Sequence, residues 1–192
     1  SGLVAGTYDV TVTDDSSCVV LESIVVTTTP DVTPPTITFC SGNQSEVVDP
    51  AACTYTLSGT GWDATATDDC LVASIVYTLS GATTGTGTSL NGVAFNLGTT
   101  TVTWTVTDGS GNTATCSFDV VVADDQLPAI SSCGAAGTQN VIADIGVCTY
   151  TFTGTGWDAT ATDNCTVSTV VYTLSGATTG TGTSLDGVVF NL

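Results

Sequence analysis

Between residues 99 and 122 hydrophobic and polar positions alternate strictly. Val102, Trp104 and Val106 take every second place, with Thr101, Thr103, Thr105 and Thr107 between them. After the stretch Asp108-Gly-Ser-Gly-Asn112 the alternation resumes with Ala114, Cys116, Phe118, Val120 and Val122. A period of two on both sides of a Gly/Asn turn predicts a β-hairpin with one buried face. The Thr row on the other face suits a solvated strand. No stretch carries a convincing helical period, and the 21 glycines and many threonines disfavour helix. Residues 7–14 (TYDVTVTD) run in phase with 101–108 (TVTWTVTD) and end on the same Asp. Residues 1–29 therefore read as the last hairpin of a preceding β domain.

The pattern recurs on a longer scale. WDATATDDC at 62–70 returns as WDATATDNC at 157–165, and 36 of the 45 residues in 53–97 reappear in 148–192 at an offset of 95. That period is too long for solenoid repeats and suits tandem sandwich domains of about 100 residues. Proline-bearing stretches at 27–37 and 123–130 divide the chain and predict semi-rigid linkers. The expected organisation is a terminal hairpin (1–29), a β-sandwich (30–124) and a second sandwich (125–192) that lacks its closing hairpin. Two origins of that gap stay open: a cut through a longer chain, or a hairpin from a neighbouring chain that completes the sandwich by strand addition. The cut is preferred, because an unpaired sheet edge is an aggregation hazard.

Charge narrows the function classes. The chain has 18 acidic residues, no Lys, Arg or His, and a net charge of −18. With no cationic side chain to neutralise phosphates, nucleic acid and anionic membrane surfaces are poor partners. No near-neutral general base exists for nucleophilic catalysis. The carboxylates fall in turns and linkers rather than facing a cleft, so no enzyme is expected. No salt bridge between side chains can relieve the repulsion among carboxylates, and salt or bound divalent cations must screen it. Eight cysteines without a CxxC pair argue for disulfides over structural zinc, and so for an extracellular or cell-surface setting. No apolar run reaches membrane-spanning length, and no membrane insertion is expected in this segment.

Pro35, Ile37 and Cys40, then TATDDC at 65–70, then GTTTVTWTVTDGSGNTATCSFDVVV at 98–122 resemble the hyalin repeat (HYR) family. The likeness covers 35–122 in full and 128–192 in part, and residues 1–29 are similar to the short repeats of large bacterial surface adhesins. It implies an immunoglobulin-like extracellular module used for adhesion. Cys53 and Cys148 depart from the family pattern. The simplest pairing of the three connectivities open to one repeat is Cys53–Cys70 with Cys40–Cys116. Cys148–Cys165 follows in the second copy, leaving Cys18 and Cys133 over. Trp62 and Trp157 read as core residues beside these bridges, with ligand stacking as the alternative. Asp63, Asp68 and Asp69, with Asp108, Asp124 and Asp125 from turn and linker, are the candidate calcium ligands, although no EF-hand spacing is present. The fold class expected is all-β: tandem immunoglobulin-like β-sandwiches with disulfides. The function expected is a repeat segment of an extracellular filament or adhesin stalk, partnered by neighbouring repeats or copies of itself. A glycan- or surface-protein-binding module is the alternative.

Overall fold

A computed structural model describes residues 4–191. Strand β1 (Gly6–Thr13) pairs with β2 (Val19–Val26) as a hairpin that joins no other sheet among the described residues. There follow β3 (Thr36–Phe39), β4 (Gln44–Val47), β5 (Thr54–Thr56), β6 (Thr65–Thr67), β7 (Val72–Gly81), β8 (Gly85–Gly87), β9 (Ala94–Asn96), β10 (Gly98–Asp108) and β11 (Thr113–Ala123). One sheet has the order β4-β11-β10-β7-β8, and the pairs β3-β6 and β5-β9 supply the rest of the sandwich.

The β10–β11 hairpin forms as the alternation predicts. Trp104 pairs with Cys116 and Val102 with Phe118, so the two apolar rows share one face. Val102, Trp104, Val106 and Val120 are fully buried, while the intervening Thr residues are half-buried. From β7, Tyr77 and Leu79 turn into the same core, and Tyr77 meets the Trp104 indole edge-on at 5.4 Å. Trp62 packs at 6.0 Å from both Tyr55 and Phe95, and at 6.3 Å from Phe118. Those contacts make it a core residue, half-buried at the margin.

The strands that follow are β12 (Ala129–Ser132), β13 (Thr149–Thr151), β14 (Thr160–Thr162), β15 (Tyr172–Leu174), β16 (Gly180–Gly182) and β17 (Val189–Asn191). Their pairings β12-β14, β13-β17 and β15-β16 repeat β3-β6, β5-β9 and β7-β8 in type, down to the same register shift in the first pair. The ten-residue β7 is matched by the three-residue β15 alone, and no strand forms at 137–142, the counterpart of β4. Both losses have one cause. In the first sandwich β7 pairs with β10, and β4 pairs with β11, and the second segment has no such hairpin among its described residues. Leu185 and Phe190 are accordingly half-buried, whereas Leu90 and Phe95 are sealed.

Candidate functional site: acidic ends and cysteine joints

The long β10–β11 hairpin divides the first sandwich into two ends. At one end the turn is held by Asp108. Its Oδ1 accepts from the backbone N–H groups of Ser110 and Asn112 at 2.8 Å, and its Oδ2 accepts from Asn112 Nδ2 at 2.7 Å. Asn112 Nδ2 also reaches the carbonyl of Asp31 at 3.3 Å, which brings the entering linker to the turn. Asp31 closes its own turn by accepting from Thr33 N at 2.8 Å. Asp68 Oδ2 accepts from Cys70 N and Leu71 N at 2.9 and 3.0 Å. Each Asp is thus fixed by local backbone donors, the usual use of a short carboxylate in a turn.

What remains is unusual: oxygens of Asp31, Asp68 and Asp108 lie within 4.8 Å of one another. Asp31 Oδ2 and Asp68 Oδ1 are buried with no hydrogen-bond partner among the described residues. Buried oxygens are rarely left unpaired, and the chain has no basic side chain to answer them. Burial pushes the Asp108 carboxyl up, but the Asn112 side-chain bond and the turn's backbone bonds outweigh it and hold the group below the usual range. Asp31, with burial and then Asp69, Asp68 and Asp108, raises the neighbouring Cys70 thiol.

The other expected ligands lie elsewhere. Asp63 is spoken for: it accepts from Ser89 Oγ at 2.6 Å and Leu90 N at 2.8 Å, clamping a distant loop. Asp69 stands with Asp31 and Cys70, and Asp124 with Asp163 near Cys165. Asp125 joins no such group among the described residues. Asp31 and Asp163 were not singled out from the sequence. Position would have found Asp163, which lies 95 residues after Asp68.

At the opposite end, Val48 N donates to the carbonyl of Ala123, and the turn from Asp49 to Ala52 carries Cys53 past the edge of the sandwich. Here the expected cysteine pairing needs correction. Cys40 is bonded to Cys116, tying the end of β3 to β11. Cys53 is bonded to Cys165 of the second segment, across 112 residues, and to neither Cys70 nor any other near neighbour. Cys70 and Cys148 are free and exposed, so Cys53–Cys70 and Cys148–Cys165 do not form. The reason is distance. Cys70 sits beside the Asp108 turn and Cys53 beside the far end of β11, roughly 30 Å away for an eleven-residue strand. A disulfide spans a Cα separation of about 4.4–6.8 Å. Across the joint, Asn164 Nδ2 donates to the carbonyl of Ala52 at 2.7 Å, beside the bridge.

The arrangement joins segments and gathers acids, and among the described residues no His or Lys stands beside a nucleophile. No curated protein matches the chain. Residues 30–122 match the model of the HYR domain, a non-enzymatic family of immunoglobulin-like β-sandwiches that occur in extracellular and cell-surface proteins.

Proposed function

We propose that this chain is a structural repeat segment of an extracellular filament or adhesin stalk, built from HYR-type sandwiches in tandem. The observation that carries this reading is the joint: one disulfide and one hydrogen bond tie the first sandwich to the segment after it. A covalent staple removes the swivel that a short linker alone permits, and a row of stapled sandwiches bears load along its length. Residues free of Lys and Arg also offer no cleavage site to trypsin-like proteases. A glycan platform is less well served, because Trp62 and Trp157 pack among Tyr and Phe rings instead of standing clear.

Calcium belongs to the same proposal. Asp31, Asp68 and Asp108 would hold it, since an all-carboxylate oxygen set suits a hard cation and two of those oxygens are buried without partners. The bound ion would stiffen the entering linker against the sandwich. Electron microscopy of native material with and without a chelator tests both parts. Ordered filaments with a regular axial repeat are expected, shortened or lost on chelation; separate flexible strings of beads would count against the filament. In solution, calcium should raise the melting temperature of the wild-type chain and leave that of Asp68→Asn nearly unmoved. Equal response of the two proteins would remove calcium from this site.

A further inference from the structure

We infer that Asn112 converts the Asp31–Asp68–Asp108 cluster between an ion-free and a calcium-bound form: its amide nitrogen stands in for part of the cation, and on binding the carboxamide turns so that Oδ1 becomes a ligand. This rests on the calcium reading above and names the ligand and the gate of that same site.

The stand-in is visible in the distances. Asn112 Nδ2 lies 2.7 Å from Asp108 Oδ2, 3.3 Å from the carbonyl oxygen of Asp31 and 3.5 Å from that of Thr33. One nitrogen thus faces a carboxylate and two backbone carbonyls, the oxygen types that calcium takes. An amide carries only two protons. It answers Asp108 well, and the two carbonyls at lengths that are poor for a hydrogen bond. Asp31 Oδ2 and Asp68 Oδ1 are sealed from solvent and receive no hydrogen bond from the described residues. Asp108 itself is only 2 % exposed. A neutral amide therefore fills a place where three carboxylates converge, and leaves two of their buried oxygens unanswered.

The carboxamide is not needed to build the turn. In the β1–β2 hairpin Asp14 Oδ1 accepts from Ser16 N and Cys18 N, both at 2.8 Å, as Asp108 Oδ1 accepts from Ser110 N and Asn112 N. The backbone bond that closes each turn is the same too: Asp14 N donates to the Cys18 carbonyl and Asp108 N to the Asn112 carbonyl, both at 3.0 Å. Cys18 occupies the position of Asn112 and has no amide. The Asn112 side chain is thus spare to the turn, and its contacts run to the linker and the acids.

Calcium and the amide compete for one atom. Asp108 Oδ1 is taken by two backbone N–H groups, which leaves Oδ2 to meet an ion, and Asn112 Nδ2 donates to Oδ2. A proton and a dication in front of the same oxygen repel each other. A half-turn about the last side-chain torsion, which is broad and roughly two-fold, exchanges Nδ2 and Oδ1 without moving the backbone. An acceptor then replaces the donor. With the three carboxylates and the carbonyls of Asp31 and Thr33, Oδ1 brings the set to the lower end of the six to eight oxygens that calcium takes. The carboxylate oxygens lie within 4.8 Å of one another, and oxygens on opposite sides of a calcium ion lie about 4.6–5.2 Å apart. The ion therefore enters with little movement of the acids, because the amide already holds the linker in reach.

The test is calorimetric titration of calcium into the chelator-treated 192-residue chain, with side-chain amide spectra of isotope-labelled protein recorded alongside. Calcium should shift the Asn112 side-chain amide signals and leave those of Asn43 and Asn91 in place. Asn112→Ala should bind calcium about tenfold more weakly than wild type, and Asn112→Asp, which adds a carboxylate to the set, about tenfold more tightly. An Asn112→Ala protein that binds as tightly as wild type, or more so, would show that the amide only obstructs the site and would overturn the inference. Equal affinities of wild type and Asn112→Asp would do the same. So would unmoved Asn112 signals in a wild-type chain that binds calcium, a readout that needs no variant to fold. In each of these cases the calcium reading stands. A wild-type chain that takes up no calcium would overturn both.

Discussion

Asp158 accepts from Leu185 N and Ser184 Oγ, both at 2.7 Å, and these two bonds, the backbone one foremost, hold its carboxyl below the ordinary range against the opposing pull of burial. A depressed carboxyl stabilises the fold above its unfolded value of about 3.9 and ceases to do so as pH falls through the folded value. Asp158→Ala should therefore lower the melting temperature at pH 7, and the deficit should shrink steadily below about pH 4. A deficit independent of pH would mean that the carboxylate's charge is irrelevant. The matching clamp at Asp63 explains what the sequence hid. Its partners Ser89 and Leu90 lie 26 and 27 residues away, so nothing near Asp63 separates a clamp from a ligand. Asp31 was hidden for the same reason, since only folding of the linker against the Asn112 turn brings it to Asp68 and Asp108.

Elements were more legible than sites. The hairpin at 99–122 could be read residue by residue, because an alternation with one sealed face admits one register. The rows expected to face inward contain the fully buried Val102, Trp104, Val106 and Val120. Trp104 is the largest of these, and Trp104→Ala should cost about 3–5 kcal/mol in denaturant unfolding. Trp104→Phe should cost distinctly less, because the indole Nε1 has no partner in the core and its removal recovers that penalty. Equal costs would contradict both the cavity argument and the unpaired donor. Gly81 marks the end of β7, at φ 99°, where a Cβ would lie 2.5 Å from the Thr99 carbonyl oxygen. Gly81→Ala should destabilise by at least about 1 kcal/mol, from conformation and clash together. The fate of β15 could not be read from its own residues. The sequence at 172–176 repeats 77–81 without change, and the shorter strand goes with the lack of a β10–β11 counterpart among the described residues.

At the scale of the whole molecule the sequence misled where spacing looked most informative. Cys53 and Cys70 lie close along the chain and read as a local staple, yet the chain between them, through β5 and β6, crosses to the opposite end of the sandwich. Repeat identity conceals this, because each copy contains both halves of a bond that is made between copies. The Cys53–Cys165 bridge closes a far longer loop than the local pair would, and its loss in Cys53→Ser should lower stability by about 2–5 kcal/mol, chiefly in the second segment. The sandwich that holds the Cys40–Cys116 bond should unfold almost as before, so two transitions should separate on calorimetry where the oxidised wild type shows them closer together. The most direct test of the account is a disulfide map of the unreduced protein, cut with a protease selective for Asp or aromatic residues, since the chain lacks Lys and Arg. The account predicts a peptide pair joining Cys53 to Cys165. Recovery of Cys53–Cys70 together with Cys148–Cys165 would contradict it, leaving sandwiches stapled within themselves and free to swivel at every linker.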